Sequence, residues 1–275
     1  MSLSQQPTAK YNWHNAYSAK QVLENEASVA KSQKLAMYKL MERAGKAAFT
    51  ALQQRWPESK SILVLSGKGN NGGDGFVVAR LAHIANIQVS VLITCDVTSI
   101  KGDALTAYQA MLDAGVNHVF TEKLPEHIDS FSGDVIVDAL FGIGFRGVLN
   151  DSMQQLVLAV NEHNAQVLSI DIPSGLCATT GNVIEDNAII ANVTVTFIVF
   201  KQGLLTGQAA NYIGELILAD IELGQVFTQL VPSGIYYQQY YPILNRGGLL
   251  PERLKTSHKG SIGQVLAVGG GTGMP

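Results

Sequence analysis

SILVLSGKGNNGGDGFVVARLAHIA, residues 61–85, decides the fold. It is an apolar run, a glycine-rich junction and a second apolar segment. A short apolar run closed by glycine reads as a buried strand. The junction GNNGGDG (69–75) holds four glycines, two asparagines and an aspartate. Glycine there lets another group come close to the backbone. Two amides and a carboxylate exceed what a phosphate turn needs.

The same rhythm continues on both sides. A helix near 74–86 follows the junction. QVSVLIT (88–94) reads as a strand before a helix near 100–114, and a weak strand lies near 117–120. DVIVDAL (134–140) precedes a loop and a helix near 151–163. QVLSIDIP (166–173), VTVTFIVF (193–200) and ELILADI (215–221) are further strands. Upstream, Tyr17 to Gln33 has a polar helical pattern. Leu35, Met37, Leu40, Met41, Ala44, Ala48, Phe49 and Leu52 then recur at helical spacing. Trp56-Pro57 ends that helix, because the residue before proline avoids the helical region. Strands alternating with helices predict an α/β fold with a parallel sheet covered on both faces.

The chain has 275 residues, 47% of them hydrophobic and 15% charged, enough to bury a real core. Its net charge of −3 disfavours a nucleic-acid or acidic-membrane binder. Backbone N–H groups can still build an anion site at no cost in net charge. Cys95 and Cys177 stand in no metal-like spacing, which points to a reducing compartment. The polar start MSLSQQPTAK has no secretory pattern. We therefore expect a soluble cytoplasmic protein.

Beyond about Leu223 the periodicity fades into a connector rich in proline and tyrosine. HKGSIGQVLAVGGGTGMP then reads as a strand and a glycine-rich turn, the opening of another α/β domain. The expected layout is an arm at 1–16, a main domain at 17–223, a linker at 224–255 and the start of a second domain at 256–275.

Three strands end in unusual chemistry: in GKGNNGGDG, in FGIGFRG and in DIPSG. In an open parallel sheet such loops share the ligand-binding edge, and the first two are expected to flank the switch point. Gly67-x-Gly69-x-x-Gly72 and Gly142-x-Gly144-x-x-Gly147 both match the dinucleotide pattern. Asp74 has two readings, a helix N-cap and a ligand contact. Asp138 and Asp171 each close a strand, where an aspartate serves as a cap or as part of a site. Ser174, in a Pro-Ser-Gly turn, reads by itself as an ordinary turn serine. Oxygen groups of Asn71, Asp138 and Ser174 are candidates for a hard cation. The histidines are scattered, and His83 reads as structural. Asp96, after the second strand, keeps an NAD(P)-binding oxidoreductase open as a rival. A non-catalytic nucleotide-binding module is the other rival.

GNNGGDGFVVAR, DALFGIGFRG, DIPSGL and KQGLLTG, in that order, resemble the NAD(P)H-hydrate epimerase family, the YjeF N-terminal domain. The resemblance runs from about residue 17 to 222. It implies a Rossmann-like three-layer αβα sandwich with a mostly parallel sheet. It implies an isomerase of nicotinamide cofactor repair that interconverts the R and S forms of hydrated NADH and NADPH. By the same resemblance, Asn70, Asn71, Gly72, Gly73 and Asp74 bind substrate. So do Gly142, Ile143, Gly144, Phe145, Arg146, Gly147, Val148 and Asp171. Asn71, Asp138 and Ser174 hold a potassium ion. Asp171 is the expected general acid/base. The tail resembles the opening of an ADP- or ATP-dependent NAD(P)H-hydrate dehydratase, a ribokinase-like lyase domain found with the epimerase in bifunctional enzymes. The expected partner is the small-molecule hydrate, with neither nucleic acid nor membrane; a homo-oligomer is left open. The chain departs from the family pattern at Gln202, where proline is expected, and in CATTG (177–181), which lacks an acidic residue.

Overall fold

In the computed structural model, which describes residues 13–121, 123–185, 187–233 and 235–238, the chain opens with β1 (Trp13–Tyr17), α1 (Ala19–Ser32) and α2 (Met37–Arg55). The alternating region follows: β2 (Ser61–Ser66), α3 (Asn70–Ile84), β3 (Gln88–Ile93), α4 (Gly102–Asp113), β4 (His118–Phe120), α5 (Leu124–Asp129), β5 (Val135–Ala139), α6 (Asp151–Glu162) and β6 (Gln166–Ile170). Then come β7 (Val193–Phe197), β8 (Phe200–Lys201), β9 (Glu215–Ala219), α7 (Gly224–Leu230) and β10 (Ile235–Gln238).

Seven strands form one sheet in the order β4-β3-β2-β5-β6-β7-β9, and every pair in it is parallel. Side-chain alternation divides its core into two layers. Ile62, Val64, Val135 and Val137 pack with α1, α2, α3 and α4 on one face. Leu63, Leu65 and Ile136 pack with α5 and α6 on the other. This is the expected three-layer α/β sandwich. Each fully buried aliphatic side chain contributes about 1.5–3 kcal/mol, so the central strands carry much of the stability. Among the described residues no helix is long and apolar enough to cross a membrane.

Local signals set the helix ends. Ser18 and Gln21 form a reciprocal capping box at the start of α1. Asn150 caps α6 by accepting from the Met153 amide. α2 stops at Trp56, ahead of Pro57.

Four expectations are corrected. The helix expected near 74–86 starts at Asn70, with Gly69 as its N-cap. Asp74 is therefore inside the helix and does not cap it. The glycines of the first turn are poor helix formers and hide that turn from a local reading. The single strand expected at 193–200 is two, because Ile198 has φ +66° and turns the chain out of the sheet after Phe197. The arm expected at 1–16 carries β1. The linker expected at 224–255 carries α7 and β10 in its first part.

β1, β8 and β10 make a second sheet, ordered β10-β1-β8, with Ala16 opposite Phe200 and Tyr17 opposite Lys201. These pairings join distant parts of the chain, so no local pattern announces them. A first compact unit ends at Tyr237. The rest of the expected linker and the expected second-domain start at 256–275 lie outside the described residues.

Candidate active site

The strand order reverses between β2 and β5, the central pair of the sheet. Loops leaving their carboxyl ends diverge and open a crevice. A cleft of about 440 Å³ lies there, lined by α1, α2, the 68–71 and 140–145 segments, Asp74, Asp171, Phe197, Ile198, Lys201 and Ile221.

Beneath it, the ends of β5 and β6 are tied together. Asp138 is fully buried and sits level with Ser169 of β6. Its Oδ1 accepts from the Ser174 hydroxyl at 2.6 Å and the Leu140 amide at 3.3 Å. Its Oδ2 accepts from the Ser169 hydroxyl at 2.8 Å and the Ser174 amide at 2.9 Å. Burial pushes the Asp138 carboxyl above the usual aspartate range, against the lowering effect of these four donors. Ser174 also accepts from the Phe141 amide at 2.9 Å, which pins the start of the second glycine loop.

Asn71 is different. Its amide oxygen and nitrogen are both buried, and among the described residues neither has a hydrogen-bond partner. A buried orphaned polar group costs about 1–3 kcal/mol, so such a group points to something bound. Gly142 makes room for it, since a Cβ there would meet Asn71 Oδ1 at 3.4 Å. An orphaned amide oxygen, a carboxylate and a hydroxyl with a spare lone pair are hard oxygen donors with one formal charge. This set fits a large monovalent cation. Among the described residues no three His, Cys, Asp or Glu side chains cluster for a metal.

Asp171 has φ +65°, a left-handed conformation that is uncommon outside glycine. Ile198 (φ +66°) and Ile221 (φ +46°) share that strain, and all three line the cleft. Strained backbone gathered at one cleft marks a place where position matters more than local stability. Lys201, only 1% exposed, explains what Asp171 gains. Its ammonium donates to Asp171 Oδ1 at 2.5 Å, Thr196 Oγ1 at 3.0 Å and the Phe197 carbonyl at 2.8 Å. Three donors meet three acceptors, which satisfies a buried charge. Thr196 in turn donates to Asp171 Oδ1 at 3.2 Å. Among the described residues every hydrogen bond to the Asp171 carboxylate reaches Oδ1, so Oδ2 is not committed within the fold, and Asp171 lines the cleft.

Two more carboxyls share this electrostatic environment. Asp74, from the interior of α3, is held well above the usual aspartate range by burial first, then by Asp171 and Glu26, with Lys201 opposing. Glu26, from α1, is raised by burial and by Asp171 against the pull of Lys201.

The expected substrate residues divide into three groups. Asn70, Asn71, Asp74, Gly142, Ile143, Gly144, Phe145 and Asp171 line the cleft. Gly72 and Gly73 are buried packing positions behind it. Arg146, Gly147 and Val148 lie beyond the lining: the Arg146 guanidinium folds back onto the Ile143 and Phe145 carbonyls, and Val148 is exposed. Asp96 spends its carboxylate on the Thr98 amide and hydroxyl, both at 2.8 Å, which weakens the oxidoreductase rival. Lys201 and Glu26 were missed as site residues. KQGLLTG marked Lys201 only as part of a motif, and Glu26 lies in a polar helix that looks solvated.

Residues 37–203, more than half of the chain, match the family described as YjeF-related protein N-terminus. The chain is 40% identical over 258 residues to the bifunctional NAD(P)H-hydrate repair enzyme Nnr of Coxiella burnetii, covering 94% of this chain and 51% of that one. It is 38% identical to the protein of the same name from Escherichia coli, covering 94% and 49%. The chain thus spans about half the length of the curated relatives it matches. The crystal structure of yeast ynu0 superimposes with a TM-score of 0.62 at 22% identity, over 70% of this chain and 84% of that one, which supports the fold. The glycine-rich junction, the tied strand ends and the 37–203 match meet in one domain, and this chain belongs to the YjeF-related protein N-terminus family.

Proposed function

We propose that this chain carries the epimerase half of a bifunctional NAD(P)H-hydrate repair enzyme, an isomerase that interconverts the R and S forms of hydrated NADH and NADPH. The names of its full-length relatives support the substrate class. The observation that carries the chemistry is Asp171, which is strained, ion-paired to a buried lysine and part of the cleft lining, with one carboxylate oxygen uncommitted among the described residues.

The C6 hydroxyl of the hydrate sits beside the ring nitrogen. Breaking the C6–O bond leaves a cationic ring that the nitrogen lone pair stabilises, and oxygen then returns on the other face. Asp171 handles the proton in this exchange, with Lys201 fixing its orientation through Oδ1. Backbone N–H groups at the start of α3 and in the 142–145 segment hold the pyrophosphate. Asn71, Asp138 and Ser174 would hold a potassium ion. When bound, it would brace the two glycine loops against each other. ADP or ATP would be used only by a dehydratase half. The substrate is a soluble redox cofactor, and we place the enzyme in the cytoplasm.

The test supplies pure R hydrate and follows the S form by chromatography, in potassium and in sodium. The expected result is a rate far above the spontaneous one, faster in potassium. The Asp171→Asn variant should lose about 10²–10⁴-fold in kcat. No acceleration by the wild type rejects the function, and full activity in Asp171→Asn rejects the role of Asp171.

A further inference from the structure

Inversion at C6 needs two proton-transfer groups. The departing hydroxyl must take up a proton on one face of the ring, and the incoming water must lose one on the other. A single carboxyl fixed on one wall serves one face. Asp171 rises from the carboxyl edge of the sheet, after β6. The lining of the cleft also includes α1, and the one ionisable side chain that α1 brings to it is Glu26.

The placement of Glu26 follows from the smaller sheet. Tyr17 of β1 stands opposite Lys201 of β8, so the strand that carries the buried lysine also anchors the start of α1. The capping box at Ser18 then fixes the direction of the helix. About two turns further on, Val22, Leu23 and Glu26 reach the cleft. Glu26 makes no hydrogen bond or ion pair among the described residues. A half-buried carboxyl without a partner, aimed into a cleft, is poorly explained by a structural role.

Resting on the epimerase reading, we propose that Glu26 is the second catalytic residue, exchanging a proton with the C6 oxygen on the face opposite Asp171. In one direction Glu26 gives its proton to the C6 hydroxyl. The C6–O bond breaks, its electron pair leaves with the oxygen as water, and the nitrogen lone pair forms the N1=C6 bond of a cationic ring. A water on the Asp171 side adds to C6 and passes its proton to Asp171. The reverse reaction runs the proton back. The active form therefore carries one proton between the two carboxyls. Glu26 faces Lys201 from β8, Asp171 from the sheet edge and Asp74 from α3, with Asp103 and Lys68 further along the lining. Burial raises the Glu26 carboxyl above the usual glutamate range, against the pull of Lys201, which is the direction a proton donor needs.

The test compares wild type, Glu26→Gln and Glu26→Asp with pure R hydrate across pH, and in water labelled with ¹⁸O. Glu26→Gln should lose about 10²–10³-fold in kcat with KM within about threefold. The wild-type rate should fall at high pH, where the shared proton is lost. Glu26→Asp should keep that alkaline fall and part of the rate, while Glu26→Gln lacks the fall. Each inversion by the wild type should leave ¹⁸O at C6. The proposal is overturned if Glu26→Gln keeps kcat within about fivefold, if its slower rate keeps the wild-type pH profile, or if the inverted product carries no label. Should Glu26→Gln not fold, a Glu26→Asp variant without the alkaline fall overturns it equally. A wild type that fails to accelerate epimerisation rejects the broader reading instead.

Discussion

The two glycine loops share one spacing and use it in opposite ways. In the first, Gly67, Gly72 and Gly75 are consumed by the fold, while Gly69 meets nothing within 4 Å among the described residues. A Cβ at Gly67 would collide with the Leu140 carbonyl, and one at Gly72 with the Gly67 carbonyl. One at Gly75 would come within 2.6 Å of Ala139 Cβ. In the second loop, Gly142 lies against Asn71, but among the described residues Gly144 and Gly147 have nothing within 4 Å, and Gly147 has φ +94°. The first loop is glycine-rich so that α3 can lie against β2 and the start of the 140–145 segment. The second is glycine-rich where open space and a left-handed turn are needed. A shared pattern therefore does not mean a shared duty, and the cleft-lining polar side chains of the first loop include its asparagines and Asp74.

That contrast can be broken by experiment. The largest effect is expected at Gly72. Alanine there overpacks a backbone contact that has no flexible side chain to yield, at about 1–3 kcal/mol. With about 2–4 °C of Tm per kcal/mol for a domain of this size, thermal melting detects it readily. A Gly72→Ala protein as stable as wild type would mean that the first loop is as open as the second.

Next comes Asn71. Among the described residues its amide has no partner, so Asn71→Ala should cost little in sodium. In potassium the wild type should gain about 1.4 kcal/mol at tenfold saturation of a site. Asn71→Ala should lose most of that potassium-dependent rise in Tm. An equal rise in both proteins would remove Asn71 from the cation site.

Asp74→Asn should act through pH. The Asp74 carboxyl titrates above its ordinary value of 3.8 in the folded state. Between the ordinary and the raised value, the fold keeps a proton that the unfolded chain has released. Stability therefore falls as pH rises through that window. Asparagine removes this slope, so the variant should gain on wild type at pH 8 relative to pH 4. Parallel melting curves across pH would show that Asp74 does not titrate there. The smallest effect belongs to Gly144→Ala, within about 0.5 kcal/mol, because nothing surrounds it. Any loss there should appear in KM.

The strands of the large sheet were legible because they are apolar runs closed by glycine or aspartate, and a buried parallel strand has little other way to look. The junction after β2 was legible as a special site, yet its first helical turn was not. Gly72 and Gly73 conceal helix that tertiary packing enforces. Asp138 and Asp171 stood out because a charge that ends a buried strand is conspicuous. Lys201 did not, since lysine ordinarily belongs to solvent and only the turn at Ile198 draws it inside. Glu26 was hidden for a related reason: its helix looks polar throughout, and only the β1–β8 pairing turns one edge of it toward the cleft.

The small sheet also imposes an order of assembly. The Tyr17 hydroxyl donates to the Val231 carbonyl across 214 residues, and Ser233 donates to the Ala16 carbonyl. Contacts this distant in sequence form slowly, because a long loop must close before they are rewarded. A ribosome delivers β2 through β9 before β10. The large sheet can consequently gather while the α1 wall still lacks its last anchoring strand. Completion of the cleft is deferred until nearly the whole first unit has been synthesised, and a nascent chain with a finished sheet is still without its finished pocket.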